Sequence, residues 1–150
     1  MTSRNWIIGI CSVIALQLIH GQTLHTPKSG SAERQAICDA ARAHVLEKYA
    51  TKPLPQSIVF KIDRIVVADD YANLEAIPLF KDGQYIDQQY LPDIAFNFCL
   101  QRDGTAWRVI VDLSRTDVPD ANEAQSIRKR LPANFPMNLL STTWQRLLAQ

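Results

Sequence analysis

Glycine is scarce in this chain, five residues in 150, and no cluster of glycines forms a phosphate-cradling loop. Histidine is scarcer still, with His20, His25 and His44 only, and the cysteines are three, Cys11, Cys38 and Cys99. One histidine within the predicted fold and two distant cysteines cannot assemble a zinc site. There is no G-x-S-x-G elbow, and a hydrolytic triad would have to use His44 as its base. No N-x-S/T sequon occurs. Charge of one sign is also missing: 16 basic against 15 acidic residues give a formal +1, which offers no electrostatic case for nucleic acid or an anionic bilayer. The sequence implies no cofactor and no metal.

What is present begins with a leader. A short polar start carrying Arg4 precedes the apolar run Trp6–Ile19, about 14 residues against the ~20 of a spanning helix, and the chain turns polar at His20. This predicts export with removal of residues 1–21. Ile19 departs from the small-residue rule at minus three, so a retained anchor is the alternative. The residues before Cys11, "IGI", do not make a lipobox. Removal takes Arg4 and no acid, leaving a mature chain of zero formal charge. The predicted location is periplasmic or secreted in a bacterium, with no membrane attachment once the leader is gone. Residues 22–31, "QTLHTPKSGS", read as a tether, and 32–150 as one domain.

Ser31 is a good N-cap for a helix over about 32–49, with Ile37, Cys38, Ala41, Val45 and Tyr49 as its apolar stripe. "SIVFKIDRIVV" is a strand near 58–67, Asp69–Asp70 a turn, and "YANLEAIPLF" a second strand. A turn there pairs Ala68 with Tyr71, Ile65 with Leu74 and Arg64 with Glu75. The apolar phase changes between Ile62 and Ile65, which predicts a bulge near Asp63. A long polar loop, 81–93, follows.

The clearest local signal is "IAFNFCLQRDGTAWRVIVDL". A two-residue Asp103–Gly104 turn would pair Leu100 with Trp107, Phe98 with Val109, Phe96 with Val111 and Ile94 with Leu113. The core face then carries Phe96, Phe98, Trp107, Val109 and Val111 under the first helix, and Cys99 points to the other face. A Cys38–Cys99 disulfide would need a bulge or a different packing to bring the two together. The other reading is two separate buried thiols.

The stretch "DLSRTDVPD", Asp112–Asp120, crowds three carboxylates into nine residues. Local structure accounts for it: Asp112 ends a strand, Asp117 caps a helix, and Asp120 lies in its acidic first turn. Val118, Ala121, Ala124, Ile127 and Leu131 form the helix's predicted buried stripe, and Pro132 stops it. There is no D-x-D-x-D-G for calcium. Met137, Leu140, Trp144 and Leu147 predict a last short helix.

The expected architecture is α+β: an N-terminal helix packed on a curved four-stranded antiparallel sheet, followed by one or two short C-terminal helices. Tyr85 and Tyr90, with Asp87, make the 81–93 loop the leading candidate for binding, and Arg108 on the outer sheet face is the next. The alternative for the two tyrosines is a lid folded back on the sheet. Proton transfer in an apolar pocket would draw on Asp93, Asp112, Tyr71 or Tyr90.

At "ERQAICDAARAHV", "IVFKIDRIVVADDYANLEAIP" and "DGTAWRVIVDLSRTDVP" the chain resembles a group of small exported proteobacterial proteins of uncharacterised function. The likeness covers most of 33–119, with Cys38 where that group has leucine. A helix followed by a curved antiparallel sheet also resembles cystatin-like and NTF2-like domains. These are packing motifs and imply no catalytic residue. The expected function is a non-catalytic binding module whose partner is a protein or cell-envelope component, in the manner of an envelope inhibitor or immunity protein. The alternatives are an NTF2-like small-molecule binder or isomerase/lyase-type enzyme, and a structural envelope protein.

Overall fold

A computed structural model describes residues 23–92, 95–114 and 117–149; the leader expected over 1–21 lies outside the described residues. The architecture is α+β: helix α1 (Ala32–Lys48), then strands β1 (Ile58–Ala68), β2 (Tyr71–Phe80), β3 (Phe96–Asp103) and β4 (Ala106–Asp112), then helices α2 (Ala121–Arg130) and α3 (Thr142–Leu148). The strands form an antiparallel meander in the order β1-β2-β3-β4. Among the described residues no helix is long and apolar enough to cross a membrane.

Ser31 starts α1 by accepting a hydrogen bond from the Arg34 amide at 3.2 Å, satisfying one of the helix's orphan donors. Ile37, Ala41 and Val45 are the fully buried stripe, while Cys38 is only half-buried. The segment expected to be a tether is docked instead. His25 exchanges two backbone hydrogen bonds with Val67 (2.9 and 2.8 Å), Pro27 is buried, and Arg34 Nη1 donates to the Pro27 carbonyl. A single bridging residue thus covers part of the β1 edge, which would otherwise present unpaired backbone groups.

The β1–β2 hairpin has the expected register, Arg64 facing Glu75 and Ile65 facing Leu74, with the bulge between Ile62 and Arg64. The β3–β4 hairpin differs from expectation. Its two-residue turn is Gly104–Thr105, so Asp103 faces Ala106, Arg102 faces Trp107 and Leu100 faces Val109. Gly104 takes φ +60 at the first turn position, where a type II′ turn needs it. The end of β3 is also clasped to the other hairpin, with the Arg102 amide on the Asp70 carbonyl at 2.7 Å. A displacement of two residues keeps each side chain on its face, so Trp107 remains in the core. A second irregularity then pairs Cys99 with Val111, leaving Ile110 as the extra residue. That single residue inverts the rest of β4: Val111 and Leu113 point outward, and Asp112 points inward opposite Phe98.

The sheet therefore separates two cores. On the inner face, Phe96, Phe98, Leu100, Leu74, Ile65 and Trp107 pack under α1. On the outer face, Cys99, Val111, Leu113 and Tyr71 pack under Ala124, Ile127, Leu131, Phe135, Leu139 and Leu140. The expected last helix is two elements, a 3₁₀ turn over Met137–Leu139 and α3. The α2 stripe is narrower than predicted, since Val118 and Ala121 are exposed. Its N-cap is Asp120, not Asp117: Asp120 Oδ1 accepts from the Glu123 amide, and the Glu123 side chain accepts from the Asp120 amide.

Candidate functional site

Three cross-strand rows run across the outer face. The first holds Ala68, Tyr71, Gln101 and Arg108, and the second Val66, Asn73, Cys99 and Val111. Both lie at the end of the sheet where the C-terminal segment packs, and Tyr71 Oη there donates to Asn134 Oδ1 at 2.8 Å. The third row is polar: Arg64, Glu75 and Asn97, continued by Leu113, whose amide donates to the Asn97 carbonyl at 2.8 Å. Beside this row the cover opens into a cleft of about 340 Å3, the lower range of small-ligand pockets. Its apolar wall is Phe96, Leu113, Trp144 and Leu147; its polar groups include Glu75, Asn97, Ser114, Asp63, Asp117 and Thr143.

Asn73, fully buried in the second row, organises this site. Its Oδ1 accepts from Arg64 Nη1 at 2.7 Å, and its Nδ2 donates to Asn97 Oδ1 at 2.7 Å and to the Phe98 carbonyl at 3.1 Å. Both cross-strand neighbours of Glu75 are thereby drawn diagonally toward Asn73. Arg64 Nη1 stays 3.6 Å from Glu75 Oε1, beyond hydrogen-bond distance. Glu75 Oε1 is buried and has no hydrogen-bond partner among the described residues. A buried acceptor left unmet is costly unless something else fills it.

A second polar cluster lies on the inner face. Asp112, turned inward by the β4 bulge, meets Lys48 Nζ at 2.8 Å and His44 Nε2 at 3.3 Å, and accepts from the Ser114 amide at 2.8 Å. Burial alone would raise its carboxyl; the bonds from His44, Lys48 and Ser114 outweigh that and hold it far below the usual carboxylate range. A base of that strength is a poor proton acceptor at neutral pH, so the cluster acts as a pin between α1 and β4. His44 is half-buried and edge-on to Phe98, ring centroids 5.4 Å apart.

The remaining predicted residues are scattered. In the 81–92 loop Tyr85 is 70% exposed, but Tyr90 is half-buried against the inner core, alongside buried Ile86 and Leu91. The loop is thus largely a lid. Asp87 stabilises it, accepting from the Gln89 amide at 2.8 Å. Arg108 is exposed, with Nη2 on Gln101 Oε1 at 3.3 Å, level with the start of β2, whereas the loop leaves from its far end. The two candidates do not form one site. Tyr71 and Asp112 lie on opposite faces, and Asp93 lies outside the described residues. Cys38 and Cys99 are free thiols on opposite sides of the sheet, so the Cys38–Cys99 disulfide is not formed; burial pushes Cys99 up to about 12. Ser126 and Lys129 have the S-x-x-K spacing of serine–lysine nucleophiles, but both are exposed on α2 and Lys129 Nζ reaches Gln125 Oε1 at 3.5 Å. No cluster of three or more His, Cys, Asp or Glu able to hold a metal occurs among the described residues.

Sequence reasoning placed Arg64 opposite Glu75 but read the pair as sheet stabilisation only. The signal that could have marked the site was three polar residues, Arg64, Asn73 and Glu75, at outward positions of one hairpin whose neighbouring residues in β2 are apolar. No family model matches the chain, and neither a curated protein nor a solved structure does.

Proposed function

We propose that this chain is an exported, non-catalytic binding module that seats a small polar ligand in the outer-face cleft. The observation that carries the reading is the cleft itself, where Trp144 and Leu147 line one opening with Glu75 and Asn97 of the polar row, beside two filled cores. A mixed wall of aromatic, aliphatic and polar groups suits ligand orientation. Export is supported by Arg4, the Trp6–Ile19 run and the polar break at His20. At neutral pH Asp112 is too weak a base to serve as the proton acceptor that the isomerase or lyase alternative needs. A second reading, capture of an envelope protein through the 81–92 loop, is favoured by one observation, the exposed ring of Tyr85.

Two-dimensional NMR of the labelled chain against soluble envelope fragments separates them. Shifts gathered at Trp144, Asn97 and Ser114, and lost in Trp144→Ala, are expected. Shifts gathered at Tyr85, unaffected by Trp144→Ala, would replace the cleft with the loop.

A further inference from the structure

The edge of the sheet at β1 is covered only at one end. In an antiparallel sheet, alternate residues of an edge strand aim both backbone groups outward. Val67 belongs to that set, since its N–H and its C=O both meet His25. The N-terminal arm pairs no further along β1: Pro27, two residues on, has no N–H to give Ile65, and its carbonyl accepts from Arg34. On the other side of the bulge the outward set is Ile58, Phe60 and Ile62. The Ser57 carbonyl accepts from the Lys81 amide, so Ser57 is turned toward β2 and Ile58 away from it. The Phe80 amide, opposite Ile58, is spent on the Gln84 carbonyl, and Pro78, opposite Phe60, has no amide. The Ile58 carbonyl accepts from Arg42 Nε at 2.9 Å. The outward N–H and C=O groups of Phe60 and Ile62 have no partner among the described residues. Ile58–Ile62, "IVFKI", is thus an open strand segment without the proline that commonly blunts an edge, and Lys61 is its one charge.

We propose that Ile58–Ile62 pairs with the same segment of a second copy of this chain, antiparallel about a two-fold axis at Phe60. The two four-stranded sheets then join into one continuous sheet. In this register Phe60 faces the partner's Phe60, Ile58 faces the partner's Ile62, and Val59 faces the partner's Lys61. Every outward group of the three residues finds a partner, the Ile58 carbonyl using its second lone pair beside Arg42. The charges select this register. An axis at Lys61 would set two ammonium groups opposite each other, which is unfavourable, and an axis at Val59 would leave Ile62 unpaired. With the axis at Phe60, Lys61 lies across from half-buried Val59, which its alkyl stem can cover. Arg42, 5.9 Å over the Phe60 ring, is already paired with Asp39, and α1 lies toward β4, away from this edge. The contact is isologous, so it closes at two copies.

Sedimentation velocity and amide hydrogen exchange of the purified chain over a concentration series test this. A monomer–dimer equilibrium is expected, with the Phe60 and Ile62 amides gaining protection as concentration rises. The Val59 and Lys61 amides, turned toward β2, should be protected throughout. Val59→Lys opposes like charges at both ends of the pairing and should weaken association by about tenfold; Val59→Glu, facing the partner's Lys61, should not. A chain that stays monomeric, with freely exchanging Phe60 and Ile62 amides at every concentration, overturns the proposal. So does a dimer indifferent to both Val59 variants, which would be joined elsewhere. Edge protection that appears only on adding an extended peptide of another sequence would replace the second copy with a foreign strand.

Discussion

The two faces of the sheet are built from the same four strands and end as different surfaces. The inner face is sealed by α1 and part of the 81–92 loop, and its aromatic pair Phe96–Phe98 is stacked at 5.2 Å. The outer face is covered by short elements, α2, the 3₁₀ turn and α3, and beyond them it turns polar at Arg64, Glu75 and Asn97. The inner face is closed by one long amphipathic helix. The outer face is closed piecemeal and keeps a gap beside the polar row of Glu75 and Asn97.

The largest expected effects would break this comparison if the outer core were only a loose cover. Phe98→Ala, at a fully buried site, should cost about 3–5 kcal/mol, because the cavity beside Phe96 and His44 cannot collapse freely. Leu139→Ala, equally buried on the outer side, should cost about 2–4 kcal/mol. Urea unfolding of both variants measures the pair. A Leu139→Ala loss under about 0.5 kcal/mol, the level of a surface change, would mean the outer elements do not form a second core.

Next in size is the pin between α1 and β4 on the inner face. Asp112 carries a lowered carboxyl pKa in the folded chain, so it favours folding above the ordinary carboxylate value of about 4, and that contribution disappears progressively as pH falls further. Asp112→Asn should cost about 1–2 kcal/mol at neutral pH, in line with losing a charged hydrogen-bond partner. Below pH ~4 the gap between the variant and the parent should narrow. Thermal melts across that range decide it; a constant gap down to strong acid would mean that the Asp112 charge contributes nothing.

The same pin shows where the sequence was legible. The β1–β2 hairpin could be read in full, because Asp69–Asp70 left one turn position and the phase change at Asp63 announced its bulge. In β4 alternation ran unbroken through Trp107, Val109 and Val111, and nothing in that run marks Ile110 as the extra residue. Both Val111 outward and Val111 inward bury a valine, since each face has its own core. Alternation fixes a register only when one face is wet. With two cores the pattern was degenerate, and Asp112 was assigned to the wrong face. The candidate site was hidden for a related reason: Asn73 reads as one polar residue in an apolar strand, and its role depends on bonds to β1 and β3 that no local pattern encodes.

The smallest predicted effect sharpens the outer face at the start of α2. Three acids, Asp112, Asp117 and Asp120, lie within nine residues of chain, and the structure gives only one of them the cap. Asp120 and Glu123 satisfy each other's backbone amides at 2.9 and 3.2 Å, whereas Asp117 is exposed three residues upstream on the cleft rim. Asp120→Ala should therefore lower stability by about 1 kcal/mol, and Asp117→Ala by less than about 0.5 kcal/mol. The two variants also divide binding from folding. Asp117→Ala, if it alters anything, should alter ligand response at Trp144, while Asp120→Ala should act through the fraying of α2 alone. Urea melts read the first difference and NMR titration the second. Equal destabilisation by the two variants would mean that the helix start is shared between them, and that Asp117 belongs to the fold and not to the cleft.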